Sequence, residues 1–265
     1  MPISPIRSRP LFTDFNCRHG GGKLRRTSKF ARNPILDQSP PSSINPLILD
    51  IVSDVVCPWC YIHFRYLEKA RQSLPDLPLA IRWRPFQLDS TIPSGGIARS
   101  DYLINKFGSQ ERIEQLYDTV AKEGESAGID FAFDKIEISP NTLDAHRVLH
   151  WAGTENLDIQ HRLVERLFVI FFEEGGNLAD HQTLAAAAEE AGMQKDVVLT
   201  LLAGDADRDL VLEEIVQANE MGVQGVPFTL IEQRYGLSGA QPPETLTAAL
   251  RNVAASLKNN SPSLN

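Results

Sequence analysis

Two cysteines stand two residues apart in the segment Cys57-Pro58-Trp59-Cys60, directly after an apolar run and at the predicted start of a helix. Unpaired backbone N–H groups and the positive end of the helix dipole stabilise an anion at that position. Since both favour a thiolate over a thiol, we expect a lowered pKa and a nucleophilic role for Cys57. Cys60 lies one turn further in and is expected to be the more buried, resolving thiol. The spacing predicts thiol–disulfide exchange.

A CxxC pair also occurs as half of a zinc site, or as two inert cysteines in a core. No second CxxC and no correctly spaced Cys/His pair follows in the chain. Cys17 and His19 would complete four ligands, but both lie in a segment that we expect to be disordered. The position between a strand and a helix therefore favours redox chemistry, and we expect no metal.

Hydrophobic periodicity predicts the elements that must position this pair. Residues 46–54 form a short apolar run typical of a buried strand, and alternating apolar and basic residues predict a second strand over 79–85. A helix is expected between them, from the cysteine pair to about Ser73, because Pro58 suits a first helical turn. Further helices are predicted over 101–106, 110–127, 141–152, 159–173, 180–191, 196–202 and 208–221. Two strands, 226–231 and 235–238, and a helix from 243 to about 258 complete the order.

This order consists of a βαβ half, a run of helices and a ββα half. When the two halves share one sheet, they give a thioredoxin-like α/β fold with a large all-helical insertion, here at about 98–205. In such folds a proline with a cis peptide bond lies against the CxxC, and the backbone of the preceding residue pairs with an incoming peptide. We therefore predict a cis bond between Val226 and Pro227, with both residues supporting the active site beside Pro58 and Trp59.

Charge and composition set the two ends of the chain apart from its body. Residues 1–46 carry eight basic and two acidic side chains and seven of the 17 prolines, so we expect a disordered basic extension. A transit peptide, a start codon assigned too far upstream and a tail without function all fit this segment. Residues 259–265 are expected to form a second disordered tail, which leaves 47–258 as the folded domain.

The composition also excludes several classes of protein. The 219 residues after position 46 carry 18 basic and 32 acidic side chains, which argues against a nucleic-acid partner. No apolar run approaches the roughly 18 residues needed to span a bilayer, so we expect no membrane association. Three cysteines are too few for a secreted scaffold held together by disulfides.

At this level of detail the chain resembles the DsbA-like thioredoxin oxidoreductases of the FrnE type, over roughly residues 47–258. The matching stretches are DIVSDVVCPWCY (50–61), RWRPFQL (82–88), PNTLDAHR (140–147), GVQGVPF (222–228) and SGAQPPE (238–244). The resemblance implies thiol–disulfide oxidoreductase or disulfide isomerase activity on a protein or small molecule that contains a disulfide or thiol. It implies no bound cofactor, with glutathione or a dithiol reductant as co-substrate, and a cytoplasmic location; a eukaryotic source would add organelle targeting by residues 1–46.

Four more residues are candidates for a substrate groove around the cysteine pair: Asp54, His63, Asn141 and Arg147. His63 stands where the family usually has a glycine, either as a solvent-exposed substitution or as a local proton donor. Asp54 either accepts a proton from the buried thiol or caps the turn. Asn141 and Arg147 lie near the start of a predicted helix, where the pattern also suits simple capping. His146 and His150 share a face of that helix, without a clear third metal ligand.

Two other functions remain alternatives. One is a glutathione-dependent small-molecule isomerase or transferase, because 2-hydroxychromene-2-carboxylate isomerases and kappa-class glutathione transferases share this layout. Those proteins typically present a serine where Cys57 stands, so the intact CxxC favours disulfide exchange. The other is a holdase or scaffold with a vestigial CxxC.

Overall fold

The computed structural model describes residues 45–260 and the short strand Ser4–Pro5. Within these residues the strands are β1 (Ser4–Pro5), β2 (Leu47–Ser53), β3 (Leu79–Pro85), β4 (Ile97–Ala98), β5 (Ile138–Ser139), β6 (Phe228–Ile231) and β7 (Tyr235–Ser238). The helices are α1 (Pro58–Gln72), α2 (Arg99–Phe107), α3 (Gln110–Ala127), α4 (Leu143–Glu155), α5 (Leu157–Phe172), α6 (His181–Ala191), α7 (Lys195–Leu202), α8 (Arg208–Glu220) and α9 (Pro243–Asn260). A 3₁₀ turn covers Phe133–Lys135.

The main sheet has the strand order β1-β7-β6-β2-β3. β2 pairs in parallel with β3, as the α1 crossover requires, and antiparallel with β6, which forms a hairpin with β7. The βαβ and ββα halves therefore meet along β2 and β6, and the helices α2–α8 come between them in the chain. The predicted α/β fold with a large helical insertion is confirmed. Sequence reasoning missed the small antiparallel pair of β4 and β5.

Both faces of β2 pack against helices, because successive side chains of a strand point to opposite sides. Leu49 and Ile51 lie in the main hydrophobic core, which also includes buried residues of α1, α4, α5, α6 and α9. On the other face, Val52 packs with Ala218 and Val223, so the end of α8 and the residues after it cover that side. Burial on both faces explains why the strand is apolar almost throughout.

Asp50 is the one charged residue within β2, and it is completely buried. Arg82 donates to its two carboxylate oxygens over 2.8 and 2.7 Å, and Arg84 donates to Oδ1 over 2.8 Å. A buried carboxylate is tolerated only when it is paired and hydrogen-bonded in this way. The alternation of basic and apolar residues in β3 thus places its arginines on the same face as Asp50.

β3 is the outer strand of the sheet, and a side chain protects its open edge. Gln160 of α5 accepts a hydrogen bond from the backbone N–H of Trp83 over 3.0 Å and donates to the Trp83 carbonyl oxygen over 3.1 Å. The same amide nitrogen lies 3.1 Å from the carbonyl oxygen of Leu149 in α4. These bonds satisfy the strand edge, which would otherwise be available for pairing with another chain.

The two expected disordered ends lie mostly outside the described residues. Of the first 46 residues only 4–5 and 45–46 are described, and β1 pairs antiparallel with β7. At the other end α9 continues to Asn260, and residues 261–265 lie outside the described part. No helix in the described part of the chain combines the length and the apolar character that a bilayer crossing needs.

Candidate active site

Cys57 occupies the N-cap position of α1, immediately after the turn that follows β2. Its backbone is extended, with φ −92° and ψ 114°, and Pro58 is the first helical residue. The Cys57 N–H donates to the Asp54 carbonyl oxygen over 3.0 Å, and the Cys57 carbonyl oxygen accepts from Cys60 and Tyr61 over 3.0 and 3.3 Å. This geometry gives the Cys57 sulfur the position next to the helix N-terminus that the sequence predicts.

The ββα half brings a second group to the same sulfur. Cys57 Sγ lies 3.7 Å from the carbonyl oxygen of Val226, which is 169 residues away in the chain, and donates a hydrogen bond to it. The peptide bond between Val226 and Pro227 is cis, as predicted. The fold therefore places the CxxC against the proline loop. Trp59, with 37% of its surface exposed, lies beside them.

Both cysteines of the pair are free thiols, and they differ in burial. Cys57 is 4% exposed and Cys60 is fully buried. Burial is the largest cause that raises the pKa of the Cys60 thiol well above its ordinary value, and a hydrogen bond with Cys57 and the charge of Cys57 add to the rise. The Ser53 side chain and the backbone of Asp54 act in the opposite direction. Cys60 is therefore protonated at neutral pH.

Asp54 is buried directly behind the pair, and its two carboxylate oxygens have different surroundings. Oδ2 accepts a hydrogen bond from the Leu88 N–H over 2.8 Å, which fastens the chain after β3 to the active-site turn. Oδ1 has no hydrogen-bond partner among the described residues and lies 3.5 Å from His146 Nε2. The carboxylate thus holds a turn with one oxygen and has the other available.

His63 lies in the core between α1 and the sheet, fully buried. Its Nε2 shares a hydrogen bond of 2.9 Å with the Thr229 hydroxyl of β6, and burial lowers its pKa to about 4. The solvent-exposed alternative is wrong, because α1 turns this position toward the sheet. The ring is neutral at physiological pH and lines no groove.

Asn141 joins three segments near the start of α4. Its Oδ1 accepts from Gln87 Nε2 and from the Leu143 N–H over 2.9 and 3.0 Å, and its Nδ2 donates to the Ile92 carbonyl oxygen over 2.6 Å. Thr142 is the N-cap and makes no side-chain cap bond. The helix α4 begins at Leu143, two residues later than the sequence predicts. Asn141 is partly buried and holds the segment that carries Gln87 and Leu88.

Arg147 is buried and bonds within the protein. Its guanidinium donates to the carbonyl oxygens of Ala206, Leu201 and Gly204 over 2.8, 2.9 and 2.6 Å, and to Asp144 over 2.8 Å. These bonds attach α4 to the connection between α7 and α8. The placement of Arg147 in a substrate groove is therefore corrected: it stabilises the insertion.

Sequence reasoning missed three residues close to the cysteines: Ser53, His146 in its contact with Asp54, and the exposed Leu88. Ser53 ends β2 and is buried, and a polar residue at the end of an apolar strand was the available signal. His146 Nε2 donates to the Phe86 carbonyl oxygen over 2.8 Å.

Within residues 45–260, no three His, Cys, Asp or Glu side chains converge as a metal ion would require.

Comparisons with known proteins agree with this geometry. Residues 48–251 match the model of the DSBA-like thioredoxin domain. The uncharacterized protein YwbO of Bacillus subtilis is 24% identical over 184 residues, which cover 69% of this chain and 86% of that protein. A probable DsbA oxidoreductase of Streptomyces coelicolor is 28% identical with a TM-score of 0.71, over 79% of this chain and 90% of that one.

A third comparison shows the same fold in a protein with a different name. The structure of a 2-hydroxychromene-2-carboxylate isomerase is 18% identical with a TM-score of 0.58, over 81% of this chain and 99% of that one. The fold is thus shared with a protein named as a probable oxidoreductase and with one named as an isomerase, and the family model covers most of this sequence. The chain belongs to the DSBA-like thioredoxin domain family.

Proposed function

We propose that this protein is a thiol–disulfide oxidoreductase or disulfide isomerase in which Cys57 is the nucleophile and Cys60 the resolving thiol. One observation carries the proposal: Cys57 Sγ lies at the N-terminus of α1, 3.7 Å from the Val226 carbonyl oxygen, with buried Cys60 one turn behind. A sulfur at a helix N-terminus is stabilised as a thiolate, which is the reactive form.

The reaction starts when the Cys57 thiolate attacks one sulfur of a substrate disulfide. The substrate S–S bond breaks, a mixed disulfide forms on Cys57, and the departing substrate thiolate takes a proton from solvent. Cys60 then loses its proton and attacks Cys57, which releases the second substrate sulfur and leaves a Cys57–Cys60 disulfide. The substrate is reduced by two electrons and the enzyme is oxidised. Glutathione or a dithiol returns the pair to the reduced state.

Isomerisation shares only the first step of this cycle, the attack of Cys57 on the substrate disulfide. A thiol of the substrate, rather than Cys60, attacks the mixed disulfide and releases Cys57 with no net change in oxidation state. The raised pKa of Cys60 supports this branch, because a protonated resolving thiol gives the substrate time to react. The reverse of the full cycle oxidises a dithiol substrate.

The surface around Cys57 supports a protein or peptide substrate. Trp59 and Leu88 are both exposed and apolar, and both lie next to the active-site turn. The Val226 backbone beside Cys57 offers hydrogen bonds to an extended chain. We include a cytoplasmic location in the proposal, in keeping with the resemblance to the FrnE type; cell fractionation with an antibody to the protein tests that part.

The main experiment compares three single variants in an insulin reduction assay. Cys57→Ser abolishes turnover, Cys60→Ser accumulates mixed disulfides that can be isolated from cell extract, and Cys17→Ser, the matched control, keeps full activity. If Cys57→Ser retained full turnover, the mechanism would be wrong.

The alternative, a glutathione-dependent isomerase or transferase, predicts a different pattern. Such an enzyme uses the residue at position 57 alone to orient or activate glutathione. Two results together identify this alternative. The parent protein conjugates glutathione to an electrophilic probe but does not reduce insulin, and Cys60→Ser keeps the conjugating activity. Absence of conjugation together with insulin reduction supports disulfide exchange.

A further inference from the structure

A cleft of about 450 Å³ lies between β3, α4, α5 and α8. Its rim includes the exposed Glu213 and Gln217 of α8, so the cleft opens to solvent there. Its inner end is lined by Ser53, Val55 and His146. Because Ser53 and Val55 precede Cys57 directly in the chain, the cleft reaches the back of the active-site turn.

Two buried oxygens near this inner end lack hydrogen bonds within the described part of the chain: one belongs to Ser53, which lines the cleft, and one to Asp54, the next residue in the chain. Ser53 Oγ and Asp54 Oδ1 have no partner among the described residues. A buried polar atom is costly to leave unpaired, so such atoms call for a functional explanation or a water molecule. The Ser53 hydroxyl forms no hydrogen bond with the described residues, but it lies close enough to Cys60 to act against the rise in the pKa of that thiol.

Two histidines of α4 connect this inner end with the rim. His146 Nε2 donates to the Phe86 carbonyl oxygen over 2.8 Å, so in the neutral ring Nδ1 is the nitrogen that can accept a proton. His150, one helical turn later, also lines the cleft, and its Nδ1 lies 3.8 Å from Glu214 Oε1 at 20% side-chain exposure. Because Nε2 stays bonded to Phe86, His146 takes up and gives back a proton at Nδ1, through water in the cleft.

We propose that this cleft is the route by which the proton of Cys60 leaves the protein, with Ser53, His146 and His150 as relay residues. The inference rests on the proposed function, since it concerns the resolving step. The Cys60 S–H bond breaks, its electron pair attacks Cys57, and the Cys57–substrate S–S bond breaks. The proton passes through the Ser53 hydroxyl and cleft water to His146, and through His150 to solvent. The departing substrate thiolate takes up one proton on the open side.

The charged and titratable groups around His146 come from every element that packs on it. Asp54 Oδ1 lies 3.5 Å from its Nε2. The others that line the cleft are Arg82 and Arg84 on β3, His150 on α4, and Glu213 and Glu214 on α8; Cys57 and Cys60 follow Ser53 at the N-cap and in the first turn of α1. The arginines are bound to Asp50, so the carboxylates of α8 and Asp54 offset the positive charge of a protonated relay.

The experiment separates the two chemical steps in one trace. Reduced protein in a Cys17→Ser background is mixed with one equivalent of the aromatic disulfide 5,5′-dithiobis(2-nitrobenzoic acid). Attack by Cys57 releases a first thionitrobenzoate and leaves a mixed disulfide; resolution by Cys60 releases the second. The rates of both phases are followed by stopped-flow absorbance between pH 5 and 9, in water and in deuterium oxide.

Ser53→Ala and His146→Gln are expected to slow the second phase about tenfold or more, as loss of a proton-transfer group does. The pH midpoint of that phase moves upward, its solvent isotope effect changes, and the first phase stays unchanged. His181→Gln is the matched control, because this histidine pairs with a carboxylate, Asp144, but lies outside the cleft. It leaves both phases unchanged.

A purely structural role is tested by rescue and by a second variant. Imidazole added to His146→Ala restores the second phase, which repair of packing alone would not do. If His146→Gln has a much lower melting temperature, the second variant is His150→Gln, whose ring lies nearer the solvent. We expect His150→Gln to slow the second phase while its melting temperature stays that of the parent protein. An unchanged second phase in Ser53→Ala and in both histidine variants overturns the relay alone. Loss of the first phase in the parent protein overturns the proposed function as well.

Discussion

Asp50 and Arg82 face each other across the parallel pair β2–β3, and the arginine binds both oxygens of the buried carboxylate at 2.8 and 2.7 Å. Asp50→Ala leaves Arg82 and Arg84 without their shared partner inside the sheet. We expect a loss of about 3 kcal/mol in the free energy of unfolding, measured by urea denaturation. Asp76→Ala is the matched control: its salt bridge with Arg251 is exposed, and we expect no measurable loss. Equal stability of the two variants would contradict this account.

We expect the buried His63 to make the stability of the protein depend on pH. Its folded pKa of about 4 is below the ordinary value of 6.5, so the unfolded chain binds a proton first as the pH falls. Stability is therefore unaffected above pH 6.5 and is lost between pH 6.5 and 4, by about 3 kcal/mol at 1.36 kcal/mol per pKa unit. His63→Gln removes this part of the slope in urea titrations, whereas His181→Gln, an exposed histidine, keeps it. An unchanged slope in His63→Gln would show that the buried ring does not cause the effect.

Thiol alkylation distinguishes the two cysteines. In a Cys17→Ser/Cys57→Ser protein, burial still raises the pKa of Cys60 even though the two contributions from Cys57 are gone. We expect iodoacetamide to modify Cys60 in the folded protein at pH 7 at least about tenfold more slowly than Cys57 in Cys17→Ser/Cys60→Ser, because only a thiolate reacts. Mass spectrometry follows both rates, with urea-unfolded protein as the control. A slow Cys57 would instead support the holdase alternative.

Arg147→Met separates a structural role from a role in substrate binding. The change removes hydrogen bonds to three carbonyl oxygens and the ion pair with Asp144, which keeps its contact with His181, so we expect a loss of about 3 kcal/mol. Insulin reduction per folded molecule stays unchanged below the melting temperature. Arg251→Met, at an exposed site, changes neither quantity. A raised KM in Arg147→Met with normal stability would return this residue to the groove.

Local rules were enough to predict the positions of the cysteine pair and of the cis proline. A strand, a CxxC at a helix start and a proline before a later strand are each visible within a few residues. The predicted range of β3 matches its observed span, and so does that of α3, since an apolar periodicity with clear ends determines each of them. The fold class followed from the order of these elements.

The surroundings of the cysteine pair could not be predicted from local sequence, because the contacts there join residues that are far apart in the chain. His63 shares a hydrogen bond with Thr229, 166 residues away, and Arg147 donates hydrogen bonds to carbonyl oxygens more than 50 residues away. Asp50 could have been recognised: one carboxylate within an apolar strand needs a cationic partner, and β3 offers two arginines at alternate positions. Which register joins them is visible only once β2 and β3 are paired.

The cleft behind Ser53 also affects how large a partner the protein can process. A protein substrate held on Cys57 would cover the front of the turn and exclude water from it. In the proposed relay the proton of Cys60 leaves through the cleft, so a partner seated over Trp59 and Leu88 leaves that route open.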